Sequence, residues 1–270
     1  MRFGPAGYPS EGKTPEGSLN YTKSIGLNAL EVEFVRGARI TAERAEAIGE
    51  AAKNLDIRLS CHAPYFISFN SEDMETREKS IGWVMDTVRA AHALGAYIIV
   101  IHAASYGKSP DTALESVVDG LSKCKDIMDD EGIRDVILGV ETMGKKGQFG
   151  TLKEIAEVMD SVDGVRPVLD VAHVHARDVG CLKSKEDMRK LIDEFFPLCG
   201  EIAHMHISCI KYGDRGELSH LPLSAKDPDM QLLADVLEDS KQDCTFICES
   251  PLIAQDAVVF RDMFPKYRIT

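Results

Sequence analysis

Six short apolar segments of the chain each end at a histidine, an aspartate or a glutamate. The residues in question are His62, His102, Glu141, Asp170, His206 and Glu249. Imidazole and carboxylate groups are the side chains that bind divalent metal ions in proteins. A carboxylate at the end of a buried segment is costly to bury unless a cation meets it. We therefore expect a metal site assembled from the ends of these segments.

Apolar runs of this kind are typical of parallel strands that are covered on both faces. Eight strands are predicted, at residues 2–6, 29–35, 57–62, 97–102, 136–141, 165–170, 202–207 and 245–249. Helical segments alternate with them, at residues 18–25, 41–55, 73–94, 110–131, 151–159, 185–196, 228–240 and 256–264. Eight such units in 270 residues favour a closed (β/α)8 TIM barrel in which residues 1–270 form a single domain. A doubly wound open sheet is the alternative fold.

Active sites of such barrels lie at the C-terminal ends of the strands, where all six residues fall. Glu141, Asp170, His206 and Glu249 come from consecutive strands and should converge. Three carboxylates in close proximity repel one another unless they are protonated or neutralised, so a divalent cation is the economical explanation. His62 and His102 precede Glu141 in strand order, so Glu141 is a candidate bridge to a second metal. His173, which faces the loop that carries His220, indicates a third site.

Other histidines and two cysteines have less specific interpretations. We expect His204, two residues before His206 on the same strand face, to lie one layer deeper in the barrel. His92 belongs to an alanine-rich helix, away from the site. Cys61 and Cys248 adjoin proposed ligands, but neighbouring strand residues face opposite ways, so their thiols should pack behind the site.

Composition restricts the range of partners and compartments. The net charge of −13 argues against a broadly basic nucleic-acid-binding surface, although bound cations would add positive charge locally. Seven cysteines occur without a Cys-x-x-Cys pair, and the sequence has neither an apolar leader nor a membrane-length apolar run. These features predict a cytoplasmic protein with reduced thiols and no membrane contact.

The segment 65–69 after the third strand contains three aromatic residues, among them Tyr65 and Phe66. It either covers the barrel end as packing or stacks on a ligand such as an unpaired base. The sequence leaves both interpretations open.

The order of these motifs resembles that of endonuclease IV, the apurinic/apyrimidinic endonuclease family 2 of the xylose isomerase-like barrel superfamily. The matching segments are His62-Ala63-Pro64-Tyr65, Ile101-His102, Val140-Glu141-Thr142, Leu169-Asp170 with His173, Met205-His206 and Cys248-Glu249. The resemblance covers almost the whole chain and implies two or three Zn²⁺ ions, with Mn²⁺ as a substitute. It implies three ligand sets: His62, His102 and Glu141; Glu141, Asp170, His206 and Glu249; His173 and His220.

The resemblance implies hydrolysis of duplex DNA at abasic sites, with Glu141 and Glu249 as catalytic residues that hold and orient a metal-activated hydroxide. Tyr65, Phe66, Arg36 and Arg39 are the candidate substrate contacts. The chain departs from the family pattern at the third site, where Leu218 occupies the position of a family aspartate and Glu217 is the candidate replacement. The alternative is a sugar isomerase or epimerase of the same superfamily, which would use one divalent metal bound by Glu141, Asp170, His206 and Glu249.

Overall fold

Eight parallel strands form the predicted barrel in a computed structural model that describes residues 1–268. The barrel strands are β1 (Arg2–Pro5), β2 (Ala29–Glu33), β3 (Arg58–His62), β4 (Ile98–Ile101), β5 (Ile137–Glu141), β6 (Val165–Asp170), β7 (Ile202–Ile207) and β8 (Asp243–Cys248). From β2 to β8 each strand pairs with the next one in the chain, and β1 pairs with β8. The chain therefore follows the barrel in strand order, as the strict alternation predicted.

The seam between β1 and β2 is closed by fewer contacts than the other strand pairs. Ala6 and Glu31 form an isolated parallel bridge. The N–H of Gly7 donates to the carbonyl of Glu31 at 2.9 Å, and the N–H of Asn28 donates to the carbonyl of Phe3 at 3.0 Å. The closure brings β2 close to β8, which places the carboxylates of β2 inside the barrel.

The helices pack outside the barrel. They are α1 (Pro15–Ser24), α2 (Ala42–Asn54), α3 (Met74–Leu94), α4 (Ala113–Asp130), α5 (Leu152–Met159), α6 (Val171–Arg177), α7 (Lys185–Phe195), α8 (Met230–Leu237) and α9 (Ile253–Asp262). Caps determine several of their starts: Thr41, Asp73 and Ser184 accept backbone N–H groups, and Thr151 forms a capping box with Glu154. Helix α1 starts three residues earlier than predicted because Thr14 caps it and a proline takes its first position.

Two of the elements that were not predicted lie next to the ligand-bearing strand ends. Helix α6 follows β6 without a loop, and Asp170 caps it by accepting the N–H of His173 at 2.6 Å. The predicted loop that carries His220 is instead an antiparallel hairpin, in which Cys209–Gly213 pairs with Gly216–Leu221. We call this element the β7 hairpin. Both elements follow directly on ligand-bearing strands and bear on the site.

Buried apolar side chains fill the space between the barrel and its helices. Cys61 and Cys248 belong to this core and are fully buried, as predicted. His92 lies on α3, where it is exposed and contacts Asp135 at 2.7 Å, far from the strand ends. Within residues 1–268, no helix is both long and apolar enough to cross a membrane.

Candidate metal centre

The C-terminal ends of the barrel strands bring all eight predicted ligands together. The predicted ligands form three groups whose ligand atoms lie within 4.8 Å of one another: His62, His102 and Glu141; Glu141, Asp170, His206 and Glu249; Asp170, His173 and His220. Most of these side chains are buried, and only Glu249, His102 and His220 are partly exposed. Glu141 and Asp170 each belong to two groups, so the three groups are contiguous.

Glu141 stands between two sets of imidazoles. Its Oε2 atom lies 2.6 Å from Nε2 of His102 and 3.4 Å from Nε2 of His62. Its Oε1 atom lies 3.2 Å from Nδ1 of His206 and 3.2 Å from Nδ1 of His173. The two oxygens of one fully buried carboxylate thus face opposite directions, which is the geometry of a bridging ligand.

Hydrogen bonds to the backbone orient two of the imidazoles. Nδ1 of His62 donates to the carbonyl of Ala63 at 2.7 Å, which leaves Nε2 facing Glu141. Nδ1 of His173 donates to the carbonyl of Thr142 at 3.0 Å, which leaves its Nε2 facing the open side of the site. A carbonyl only accepts, so Nδ1 carries a proton in each of these bonds, and Nε2 is the nitrogen that can bind a metal once it is deprotonated. Metal-binding histidines are commonly oriented in this way.

A second buried layer supports His206 from inside the barrel. Oε1 of Glu31 lies 3.0 Å from Nε2 of His206, and Oε2 of Glu31 lies 3.0 Å from Nε2 of His204. Ser60 donates to the same Oε2 atom at 2.7 Å, and Tyr97 contacts Nδ1 of His204 at 2.6 Å. The prediction that His204 lies one layer deeper is confirmed. The role of Glu31 was missed, although its strand alternates Glu31 and Glu33 on one face.

The electrostatics of the site depend on burial and on these pairs. Burial would raise the pKa of Glu141, but His102 and His206 hold that pKa well below its usual range. Burial, with the nearby charge of Glu141, raises the pKa of Asp170 despite the opposing effect of His173. Burial likewise raises the pKa of Glu33 to about 8, against the attraction of His62. Carboxylates this close together require compensating positive charge.

The donor set fits divalent cations. Among the described residues, buried atoms of the cluster that make no hydrogen bond include Nε2 of His62, Oε2 of Glu141 and Oδ2 of Asp170. The 2.6 Å approach of His102 to Glu141 therefore lacks hydrogen-bond geometry. Buried polar atoms are normally paired. Unpaired imidazole and carboxylate atoms that converge on one space are what a zinc or manganese site requires.

A cavity of about 310 Å³ opens over this cluster. Its lining comprises Tyr65, His102, Met143, Lys145, Gln148, His173, Glu217, His220 and Glu249. Lys145 is the one cationic residue among these lining side chains. The cavity is polar and has the size of a single small group rather than of an extended chain.

The predicted substrate contacts are distributed unevenly around this cavity. Tyr65 lines it, with its ring 4.9 Å from that of His62 and 5.0 Å from that of His102. Phe66 packs against Trp83 instead, with ring centroids 4.3 Å apart. Arg36 and Arg39 are exposed on the loop after β2 and do not line this cavity. A substrate contact of these last three residues stays a prediction.

Comparison with known proteins identifies a family of TIM barrels that this chain matches. A family model described as xylose isomerase-like TIM barrel matches residues 19–262. An uncharacterized protein of Methanocaldococcus jannaschii is 29% identical over 262 residues, which are 95% of this chain and 94% of that protein. A protein of Aquifex aeolicus named "Probable endonuclease 4" is 24% identical over 222 residues, 72% of each chain.

Solved structures with a similar fold include an epimerase-like protein and an endonuclease. A D-tagatose 3-epimerase-like protein superposes with a TM-score of 0.75 at 17% identity, covering 99% of this chain and 97% of that one. Endonuclease IV from Thermus thermophilus superposes with a TM-score of 0.74 at 22% identity, covering 98% of this chain and 100% of that one. At these identities the likeness concerns the fold alone.

Proposed function

The chain belongs to the xylose isomerase-like TIM barrel family, and from that premise we propose that it is a metal-dependent phosphodiesterase which cleaves duplex DNA 5′ to abasic sites. The observation that carries the proposal is the position of Glu141. One of its oxygens faces His62 and His102, and the other faces His206. A carboxylate shared in this way supports a two-metal site, which is typical of phosphoryl-transfer enzymes.

The ligand sets divide at Glu141. His62 and His102 would hold one cation, and Asp170, His206 and Glu249 would hold the other, with Glu141 common to both. Bound zinc would supply a hydroxide near neutral pH and positive charge for the phosphate oxygens. A site for a single metal uses only the second set and leaves the two histidines without a ligand role.

Glu249 is placed to handle the proton of the attacking water. Its Oε1 atom lies 3.2 Å from Nδ1 of His206, and its Oε2 atom lies 3.6 Å from Nε2 of His220. Its side chain is 11% exposed and lines the cavity, so it contacts both the buried ligands and the open space. A carboxylate at this boundary can orient a water molecule and accept its proton.

The substrate side of the cavity supports recognition of a phosphate on an unstacked nucleotide. Lys145 provides a cation at the cavity wall. Tyr65 is 52% exposed, and its ring contacts the rings of His62 and His102 in a tilted arrangement. An abasic nucleotide has no base to unpair, so it can be turned out of the duplex at low cost and enter a cavity of about 310 Å³.

A sugar isomerase or epimerase is the second candidate. The D-tagatose 3-epimerase-like neighbour supports it at the level of the fold. The net charge of −13 also favours a small neutral substrate, since such a substrate needs no basic groove. In a sugar isomerase or epimerase, His62 and His102 would contact the sugar rather than a metal.

A labelled duplex with one tetrahydrofuran abasic analogue tests the proposal. Zinc-loaded protein should nick that strand once, on the 5′ side of the analogue, and leave the undamaged duplex intact. The Glu141→Gln variant should not cleave, whereas His92→Ala, which alters an exposed histidine of α3, should cleave like the wild type. Absence of cleavage by metal-loaded wild-type protein, together with epimerisation of a ketohexose, would replace the nuclease by the second candidate.

A further inference from the structure

A chain of polar side chains runs inside the barrel from its N-terminal end to the metal centre. It consists of Tyr97, His204 and Glu31, and Ser60 joins it at Glu31. His204, Glu31 and Ser60 are each at most 1% exposed. Tyr97 directly precedes β4 and lines a cavity of about 650 Å³ at the N-terminal ends of the strands, opposite the metal centre. The chain therefore connects the two ends of the barrel.

The protonation of these groups determines the direction of each hydrogen bond. Burial would raise the pKa of Glu31, but His206 and His204 hold that pKa well below its usual range, so Glu31 is a carboxylate and only accepts. Nε2 of His204 therefore donates to Oε2 of Glu31 at 3.0 Å. Burial lowers the pKa of His204, so the ring carries this one proton. Its Nδ1 atom then accepts the hydroxyl of Tyr97 at 2.6 Å.

Two donors hold one oxygen of Glu31 and leave the other without a hydrogen bond. Besides His204, the hydroxyl of Ser60 donates to Oε2, at 2.7 Å. The second oxygen, Oε1, makes no hydrogen bond and lies 3.0 Å from Nε2 of His206. Buried carboxylate oxygens are normally paired. The two bonds at Oε2 are therefore the contacts that keep Oε1, with its charge, beside His206.

The outer end of the chain is fixed by Arg58, the first residue of β3. Its guanidinium group lies 5.7 Å from the centroid of the Tyr97 ring. The same group donates to Oγ1 of Thr245 at 2.9 Å and to Oδ2 of Asp243 at 2.6 Å. Thr245 is the β8 residue paired with His204 on β7. The ring of Tyr97 thus rests on a guanidinium group that is itself bonded to the neighbouring strand.

We propose that Tyr97 and His204 are positioning residues of the metal centre, which orient the carboxylate of Glu31 and so set the affinity of His206 for a cation from the opposite end of the barrel. Negative charge behind a metal-binding imidazole makes the ring a better ligand. Without the hydroxyl of Tyr97, the ring of His204 is free to move its proton to Nδ1, which turns a lone pair toward the carboxylate. This role rests on the metal site of the proposed function but not on its reaction, since His206 is a ligand in both candidate functions.

Tyr97→Phe tests this inference, because it removes only the hydroxyl oxygen. Zinc dissociation constants are measured on full-length, tag-free protein by competition with a chromophoric chelator. We expect zinc binding to weaken by about 10-fold, at the lower end of the range for supporting groups. Ser60→Ala, which removes the second donor to the same carboxylate, should also weaken it. Tyr106→Phe is the matched control and should bind zinc like the wild type, since its hydroxyl donates at 2.6 Å to Glu154, which is not a proposed ligand.

A double-mutant cycle separates positioning from a general loss of structure. If Tyr97 acts through Glu31, Tyr97→Phe should have no further effect on the dissociation constant in the Glu31→Gln background. Additive effects of these two substitutions would overturn the inference, as would unchanged affinity in both Tyr97→Phe and Ser60→Ala. Melting curves in chelator establish that each variant is folded before its affinity is compared.

The outcomes also separate this inference from the proposed function. If the metal-loaded wild type cleaves abasic DNA while Tyr97→Phe and Ser60→Ala bind zinc as tightly as the wild type, the proposed function stands and the inference fails. If the wild type cleaves no phosphodiester but Tyr97→Phe lowers zinc affinity, and does so only when Glu31 is present, the inference stands and the proposed function fails.

Discussion

The Oε1 atom of Glu31 lies 3.0 Å from Nε2 of His206, deep inside the barrel. The opposite nitrogen of the same ring, Nδ1, lies 3.2 Å from Glu141 and 3.2 Å from Glu249. The pair is an electrostatic contact without hydrogen-bond geometry, and the charge of a carboxylate behind a metal-binding imidazole increases the basicity of the ring as a ligand. Glu31 is therefore a positioning residue, which acts on the metal through His206.

We expect Glu31→Gln to weaken metal binding at the site of Glu141, Asp170, His206 and Glu249 by about 10- to 100-fold, the range seen when such supporting groups are changed. Competition with a chromophoric chelator measures the dissociation constant directly. Glu50→Gln, at an exposed position on α2, is the control and should bind metal like the wild type. Unchanged affinity in Glu31→Gln would show that His206 keeps its orientation without this contact.

Glu141→Gln should abolish activity and reduce the number of bound metal ions. The amide offers one oxygen and no charge, so it cannot bridge two cations or neutralise them. We expect kcat to fall by about 100-fold or more, because ligand loss exceeds the effect of changing a supporting residue. Steady-state kinetics on the abasic duplex, with metal counted on the same sample, provide the check. Full catalytic activity of this variant would contradict both candidate functions, the nuclease and the isomerase.

Tyr65→Ala should raise KM for an abasic duplex by about 10-fold while leaving the metal count unchanged, because stacking of an aromatic ring on nucleic acid contributes about 1–3 kcal/mol. Phe66→Ala is the comparison, since that ring packs on Trp83 rather than on the cavity. It should lower the melting temperature and leave KM near the wild-type value. Equal effects of the two substitutions on KM would remove Tyr65 from its proposed role.

The metal-free protein should become less stable as the pH rises. Burial would lower the pKa of His62, but Glu141, followed by Glu33 and Glu31, raises it from 6.5 to about 10. Protonated His62 thus stabilises the fold fully below pH 6.5, and this contribution is lost as the pH rises through about 10.

Melting temperatures in chelator between pH 6.5 and pH 10 test this expectation. They should fall for the wild type and fall less for Glu141→Gln, which lacks the charge that raises the pKa of His62. Metal-loaded protein should lack this contribution, because a bound cation requires the neutral imidazole. A wild-type profile that is flat or rises in chelator would contradict the assignment.

Residues at strand ends were predictable because their position follows from local sequence. Asp170 and Glu141 each terminate an apolar run, and a parallel barrel brings such ends to one rim. The contact of Glu31 with His206 joins residues 175 positions apart across the closed barrel, so no local pattern signals it. It depends on the β1–β2 seam, where the backbone of Glu31 itself forms the closing bridge.

The supporting elements near the cavity were harder to predict. Helix α6 has only seven residues, and the Asp170-x-x-His173 spacing was interpreted as a ligand pair rather than as a helix cap. The two roles coexist, since Oδ1 of Asp170 accepts the N–H of His173 while Oδ2 remains unpaired. In the β7 hairpin, the Gly213-Asp214-Arg215-Gly216 turn was a usable signal. The hairpin also has a bulge at Leu218, since Lys211 pairs with Ser219 and Tyr212 pairs with Glu217. No local signal predicts this bulge, because it is defined by pairing with the opposite strand.

Bridging of two bound cations by Glu141 is the feature on which the proposed mechanism depends. Anomalous diffraction at the zinc absorption edge, from crystals grown with zinc and without chelator, tests it most directly. We expect one peak between His62, His102 and Glu141 and a second peak between Glu141, Asp170, His206 and Glu249. A single peak at the second position, with His62 and His102 bound to no metal, would contradict the bridging role and with it the two-metal mechanism.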